Sequence, residues 1–472
     1  MTRHPDQVLQ HALGSFLGAA VGDALGAPFE FHGPGRWSEA FPVAVVGGTG
    51  EMRAGGPWAA GEFTDDTQMA IVLAESLLDR GGLDPADLWS RWRLWAASAT
   101  DVGSLTRAAL ARTEHHDAAA RAHTALGGRS AGNGTIMRAV PVALVTLDGT
   151  ADDATGLAVA QARLTHHDPH THLGAALHVG LVRAWILGTD PDAAVAAVLD
   201  AADPVLAGPW RTLLDPAWAP IDATTGNGTV WTCLAQAVWA VRRADSFADA
   251  VTRAVDLGDD ADTVACVAGA LAGARFGIQA IPSRWTTYLH GTVDTPDGRR
   301  RYDAAALQDL GRRLLGKAVV PPGTPETPKL PVRVHPDVPV HAADWKGAAT
   351  VPTDWAVVSL CRVHGDFRDH PVRREVFLID RYEETDNHDP LAALTDAVDA
   401  VDAFLAEDPD RPVVVHCHGG HSRTGFVLKA WAMRRHGWDE ERAHAWLAER
   451  WPHVERNNPV FVRVLREDWH RG

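Results

Sequence analysis

The sequence predicts two architectures in one chain of 472 residues: an all-α domain over about 8–316 and a small α/β domain over 341–472, joined by a linker at 317–340. Three observations lead there. Between 8 and 316, Ala-rich apolar stretches alternate with Gly/Asp/Pro loops and no period-two pattern is sustained, which is the texture of packed helices. The segment KAVVPPGTPETPKLPVRVHPDVPV is dense in proline and has no helical periodicity, so it reads as a linker or an extended entry to a new domain. Beyond 341, short β-branched runs alternate with helical stretches, as in a small α/β sheet. A chain of this length also exceeds one ordinary core.

In chain order, GEFTDDTQMAIVLAESLL places Thr64, Asp65 and Asp66 before apolar residues Met69, Val72, Leu73 and Leu77, which predicts a helix opened by carboxylates. The stretch 88–97 carries three tryptophans, and 174–186 and 230–242 each present a broad apolar face. In GDDADTVACVAGALAGA (258–274) almost nothing polar follows the acidic cluster, so the run predicts a buried helix. Small residues at Ala265, Ala268, Gly269 and Ala272 would let another helix approach it closely. In the second domain 355–360, 376–379 and 412–415 read as strands, and 390–405, 426–435 and 440–450 as helices.

Bulk properties narrow the classes. A formal net charge of −16 argues against a general nucleic-acid or membrane-surface binder, while leaving room for a local phosphate pocket. Cys233, Cys266, Cys361 and Cys417 lack CxxC spacing, which suggests a reducing compartment without a disulfide framework or zinc ribbon. No signal-peptide pattern opens the sequence and no run is read as transmembrane, so a cytoplasmic location is expected.

Acidic residues in a first helical turn complement the helix dipole, and that alone would account for one or two of Asp259, Asp260 and Asp262. It does not need three. Two Asp/Thr clusters, at 64–66 and 259–263, can face each other only with a cation between them, because the bare carboxylates would raise each other's pKa. Oxygen-only donors suit Mg²⁺ or Mn²⁺.

Further polar loops accompany these clusters: GDALGAPFE (22–30), TDDT (64–67), TDVGSLTRAAL (100–110), AGNGTIMRAVPVAL (131–144), LTHHDP (164–169), TGNGTVWTCLAQAVWA (225–240) and GDDADT (258–263). In this order the set resembles the ADP-ribosylglycohydrolase family over about 10–316. The resemblance implies an all-α fold, two Mg²⁺ ions (or Mn²⁺), and hydrolysis of the bond between ADP-ribose and an acceptor on a protein or small molecule. It further implies that Thr64, Asp65, Asp66, Asp260, Asp262 and Thr263 are metal ligands. Glu30 would be the carboxylate beside the metals, and Asp101 would position an acceptor guanidinium. Asn133, Gly134, Thr135 and His166 would line the ADP-ribose cleft. Either Glu30 or an Asp of the cluster would shuttle the proton, and Asp101 has the alternative of capping a helix at 104–112. TGNGTVW lacks the Tyr that many members place after the Gly, so the acceptor stays open. The histidines of 166–172 are read as solvated loop residues in preference to a second metal site.

Near the C-terminus RPVVVHCHGGHSRTG runs from a strand through a Gly-containing loop into a helix. Cys417 and Arg423 stand six apart, and Gly419, Gly420 and Ser422 let backbone N–H groups turn inward as an anion cradle that would favour a thiolate. Arg423 offers a planar fork to phosphate. This segment resembles the cysteine-dependent tyrosine and dual-specificity phosphatases over about 341–472, with NNPVFVRVL (457–465) similar to a helix motif of the dual-specificity branch. The resemblance implies a phosphorylated substrate, a phosphocysteine on Cys417, and Thr424 assisting thiolate departure. A general acid is expected upstream in LIDRYEETDNHDP; spacing favours Asp386 over Asp380 and Asp389. The alternative is a phosphate-recognition module without turnover. The fusion suggests related substrates, for instance a phosphorylated ADP-ribose derivative.

Overall fold

Glycines at 14, 18, 22 and 26 recur every fourth residue along the first helix, Pro5–Gly26, and so lie on one face. That face meets the helix Ala261–Phe276 at backbone contact: a β-carbon at position 22 would stand 1.9 Å from the Ala265 carbonyl oxygen, and one at position 273 would stand 1.9 Å from that of Gly14. Side chains on either helix would hold the axes apart, so the glycines set the approach. The pair forms the centre of the helical unit and is buried along nearly its whole length. By length and hydropathy Pro5–Phe29 would suffice to cross a membrane, contrary to the expectation that no run reaches that length; here it is a core helix, buried from Gln10 onward.

A computed structural model describes residues 3–317, 327–363 and 365–469, so 318–326 of the expected linker lie outside the described residues. The chain divides into two units. The first is helical, with Asp65–Arg80, Pro85–Ala96, Pro169–Leu187 and Val230–Arg242 packed about the central pair. It also holds one antiparallel hairpin, β1 (His290–Thr295) and β2 (Gly298–Asp303), which the sequence reading left out of an all-α domain. β2 exposes Arg299, Arg300 and Arg301 in succession and so breaks the period-two signal, although TPDG between the strands is a turn sequence. The hairpin matters to the site, because His290 exchanges backbone hydrogen bonds with Gly61 and Phe63 just before Thr64.

The second unit is a five-stranded sheet in the order β3 (Val332–Arg333), β4 (Val340–Asp344), β7 (Val413–Cys417), β5 (Ala356–Ser359) and β6 (Arg373–Glu375). Only β3 runs antiparallel. β3 falls within the expected linker, so part of that proline-rich stretch is an edge strand, where missing N–H donors are tolerated. β6 lies at 373–375, earlier than the expected 376–379. Along β7, Val413 and Val415 face one core with Pro390–Glu407 and Ser422–His436, while Val414 faces another with Val357 and Phe367. This unit takes in two short excursions, Ala44–Gly50 and Pro282–Thr287. Arg374 donates to the carbonyls of Val46 and Gly48, and Asp396 accepts from the Ser283 N–H.

Candidate functional site

In the helical unit the glycine contact continues to Gly26, where a β-carbon would meet the Cα of Asp262 at 2.4 Å. The end of the first helix therefore delivers Glu30 to the start of Ala261–Phe276. Phe31 and Asp259, both in the left-handed region at φ 62 and 54, lock the two segments together: the Phe31 N–H donates to the Asp259 carbonyl, and the Asp259 N–H to that of His32. Glu30, Asp260 and Asp262 consequently bring carboxylate oxygens within 4.8 Å of one another.

The second acidic loop is held by a residue the sequence reading passed over. Asp23, fully buried on the first helix, accepts from the N–H groups of Thr64 and Thr67 and from the Thr67 hydroxyl. It thus caps Asp65–Arg80 from outside, and the Thr64 side chain makes no cap of its own. Asp66 and Thr263 meet across the loops, with Thr263 Oγ1 3.5 Å from Asp66 Oδ2. Asp23 sits in the GDALG motif, which was its only sequence signal.

Burial raises the pKa of Glu30 to about 8, and Asp260, Asp101 and Asp65 add to it. Asp65 rises to about 7 by burial and by Asp101 and Asp23. Burial and neighbouring carboxylates push Asp66 and Asp262 well above the usual range. Arg138 is the buried cation that acts on Asp65, but its guanidinium donates to Gln161 and Thr165 and lies over the Trp92 ring. Asp66 Oδ1 is buried with no hydrogen-bond partner. An oxygen-only set of buried carboxylates with an orphan oxygen fits a hard divalent cation.

Around this cluster, Asn133 Nδ2 donates to Asp260 Oδ2 at 2.8 Å and Asn227 Oδ1 accepts the Asp260 N–H, so the two GNG loops bracket Asp260. Asn227 had no assigned role in the sequence reading. His166 lies 3.2 Å from where a β-carbon of Gly134 would be, and burial with nearby Arg138 keeps it neutral. Thr135 differs from expectation: it is fully buried and its hydroxyl donates to the Thr171 carbonyl, so it anchors the loop and lines no cleft. Asp101 does not cap the following helix, Ser104–Leu110, whose N-cap is Gly103 without side-chain help. It stays close enough to Glu30 and Asp65 to raise both.

In the second unit β7 ends at Cys417, and Ser422–His436 starts five residues later. Gly420, at φ +72, passes so close to β4 that a β-carbon would stand 2.9 Å from the Ala343 carbonyl oxygen. The loop is tied outward by Trp451 Nε1 to the Gly420 carbonyl and Lys329 Nζ to that of Gly419. Arg423 Nη1 donates to the Leu360 and Leu378 carbonyls, which fixes its guanidinium beside the loop. Thr424 is fully buried and its hydroxyl has no partner. Asp380 Oδ2 stands 3.6 Å from Arg423 Nε. Asp386, favoured by spacing, is buried and accepts from the Glu383 N–H, and Asp389 caps Pro390–Glu407. Asn458, from the NNPVF motif, donates to Asp380 Oδ1 and the Arg381 carbonyl and so holds the acid-bearing loop. The sequence had shown the motif but not that partner.

Comparison with known proteins finds a family match for each unit. Residues 4–321 match the family model for ADP-ribosylglycohydrolase, and 357–469 that for the dual specificity phosphatase catalytic domain. The ADP-ribosyl-[dinitrogen reductase] glycohydrolase of Rhodospirillum rubrum is 34% identical over 301 residues, spanning 63% of this chain and 96% of that protein. ADP-ribosylarginine hydrolase Tri1 of Pseudomonas putida is 31% identical, over 60% of this chain and 75% of its own. A solved ADP-ribosylglycohydrolase-related protein complex superposes with a TM-score of 0.51 at 32% identity, covering 66% of this chain and 98% of that one.

Proposed function

The chain belongs to the ADP-ribosylglycohydrolase family, and from that premise we propose that its helical unit is a metal-dependent hydrolase that removes ADP-ribose from a modified acceptor. The observation that carries this reading is the convergence of Glu30, Asp260 and Asp262 within 4.8 Å, with the TDDT carboxylates buried alongside. Thr64, Asp65, Asp66, Asp260, Asp262 and Thr263 would hold Mg²⁺ or Mn²⁺. Such ions, when bound, polarise oxygens and acidify water. Asn133 and Asn227 keep Asp260 turned into the site. Glu30, set beside Asp260 and Asp262 with burial favouring its protonated form, is the group that holds or moves a proton at its carboxyl oxygen. Asp101 presents a carboxylate that suits a guanidinium acceptor, in keeping with the arginine-directed relative.

The test is incubation of the full chain with Mg²⁺ and conjugates of ADP-ribose to arginine, serine, a nucleobase or a small molecule. Free ADP-ribose should appear from the arginine conjugate, stop with chelator and return with Mg²⁺. Cation uptake without release from any conjugate would overturn the reading.

The second unit acts, in the same proposal, as a phosphatase. The Cys417 sulfur forms a bond to phosphorus as the ester P–O bond breaks, and Asp380 gives its proton to the departing oxygen. Water then attacks phosphorus, the S–P bond breaks with Thr424 donating to the sulfur, and Asp380 recovers a proton. The position of Asp380 beside Arg423 favours turnover over simple phosphate recognition.

A further inference from the structure

Arg138 is fully buried, and burial lowers its pKa to about 9. Keeping a cation there costs desolvation, and its hydrogen bonds go to neutral groups on segments beside the acidic site. Nε donates to Gln161 Oε1 at 2.9 Å, and Gln161 Nε2 in turn donates to the Thr135 carbonyl at 3.0 Å. Nη2 donates to Thr165 Oγ1 at 2.7 Å. Thr165 is fully buried as well, and its Oγ1 lies 2.8 Å from His166 Nδ1.

These contacts have one consistent direction. A guanidinium only donates, so Thr165 Oγ1 accepts from Arg138. The hydroxyl keeps a proton of its own, and among the described residues His166 Nδ1 is the acceptor within reach. Were Nδ1 to donate instead, that buried O–H would be left unsatisfied. Thr165 therefore donates to Nδ1, and the neutral imidazole carries its proton on Nε2. Burial and the Arg138 charge hold His166 well below the ordinary imidazole pKa, in keeping with a neutral ring. Its backbone is fixed too: the N–H donates to the Ala162 carbonyl, and the carbonyl accepts from His172 Nε2 at 2.9 Å.

His166 Nε2 lies 3.4 Å from where a β-carbon of Gly132 or of Gly134 would stand, so it looks onto space that two missing side chains leave open. Between those glycines Asn133 donates to Asp260 Oδ2 at 2.8 Å. The His166 N–H thus faces the loop that holds Asp260 beside Glu30 and Asp262.

We infer that Arg138 and Thr165 are positioning residues that fix His166 as an Nε2–H donor, and that this donor holds an acceptor oxygen of ADP-ribose, from a phosphate or a ribose. The inference rests on the reading of the helical unit as an ADP-ribose hydrolase. It gives the buried arginine a task at the cleft without contact with the ligand. The opposite tautomer would set a nitrogen lone pair against the ligand oxygen.

The experiment titrates ADP-ribose into the full chain with Mg²⁺ by calorimetry. Thr165→Val should weaken Kd about tenfold or more, and Thr165→Ser, which restores the hydroxyl, should bind within about threefold of the parent. On a His166→Ala background Thr165→Val should change Kd by less than about twofold, because both act through one nitrogen. In the free parent, long-range ¹H–¹⁵N correlation should show His166 Nδ1 unprotonated, its signals identified by their loss in His166→Ala. A Thr165→Val loss shared by ADP but not by adenosine places the oxygen on the phosphates, and any other pattern that includes ADP-ribose places it on a ribose. A protonated Nδ1 in the parent, a Thr165→Val chain that binds like the parent, or a loss that persists in full on the His166→Ala background would overturn the relay while leaving the hydrolase reading intact. No binding of ADP-ribose by the parent would overturn both.

Discussion

The carboxylate of Asp23 accepts the Thr67 hydroxyl at 2.6 Å and the N–H groups of Thr64 and Thr67, so the first helix caps the helix that carries Asp65 and Asp66. Two acidic loops far apart in sequence are thereby referred to one rigid element. Removing the cap by Asp23→Ala leaves two buried N–H groups unpaired, a loss of about 1–3 kcal/mol. Denaturant unfolding should show that loss, and isothermal titration should show weaker Mg²⁺ uptake. A variant as stable and as Mg²⁺-competent as the parent would refute the role.

The contact between the first helix and Ala261–Phe276 has no room for a methyl group. Gly22→Ala would force a β-carbon to 1.9 Å from the Ala265 carbonyl, between two helices that cannot part without opening the core. The expected cost is at least about 4 kcal/mol, in the range reserved for severe core damage. Gly156→Ala, on Ala151–Arg163 with open space around it, should instead stabilise by about 0.5–1 kcal/mol. Circular dichroism melts of the two variants check the contrast.

Asp380 and Asp386 should behave oppositely. Asp380→Asn should lower kcat for phosphate release from an alkyl phosphate by about 10²-fold or more, the usual scale of a general acid. Asp386→Ala should leave kcat within about threefold and weaken the fold by about 1 kcal/mol through its lost turn hydrogen bond. The reverse pattern would return the acid role to Asp386.

His416, at the end of β7, is fully buried with Nε2 2.7 Å from Ser359 Oγ, and burial lowers its pKa to about 3 from the ordinary imidazole value of about 6.5. Because the folded value lies below the unfolded one, the unfolded chain binds the extra proton between those limits. Stability from this group is therefore complete above about pH 6.5 and falls as the pH drops, by about 2 kcal/mol at pH 5. Melting curves of the parent at pH 7.5 and 5 should diverge more than those of His416→Gln. Equal divergence would show that His416 does not carry the acid lability.

How much was legible in advance differs between element and site. Cys417, Arg423 and the loop between them form one strand–turn–helix, so local chemistry alone revealed them. The Thr64–Asp66 and Asp260–Thr263 clusters were equally plain as acidic helix starts. Asp23, Asn227 and Asn458 were on view in recognisable motifs, yet their partners lie 41, 33 and 78 residues away.

The sequence by itself determined the helical and α/β textures, both acidic helix starts and the Cys417–Arg423 loop, because each depends on residues within a turn or two of one another. Tertiary structure alone decided that Glu30 meets Asp260 and Asp262, that Asp101 stands near Glu30 and Asp65 without capping a helix, and that Asp380 takes the place beside Arg423. Those outcomes depend on how closely two helices approach through their glycines and on which carbonyls and amides folding leaves within reach, and no local spacing encodes such distances.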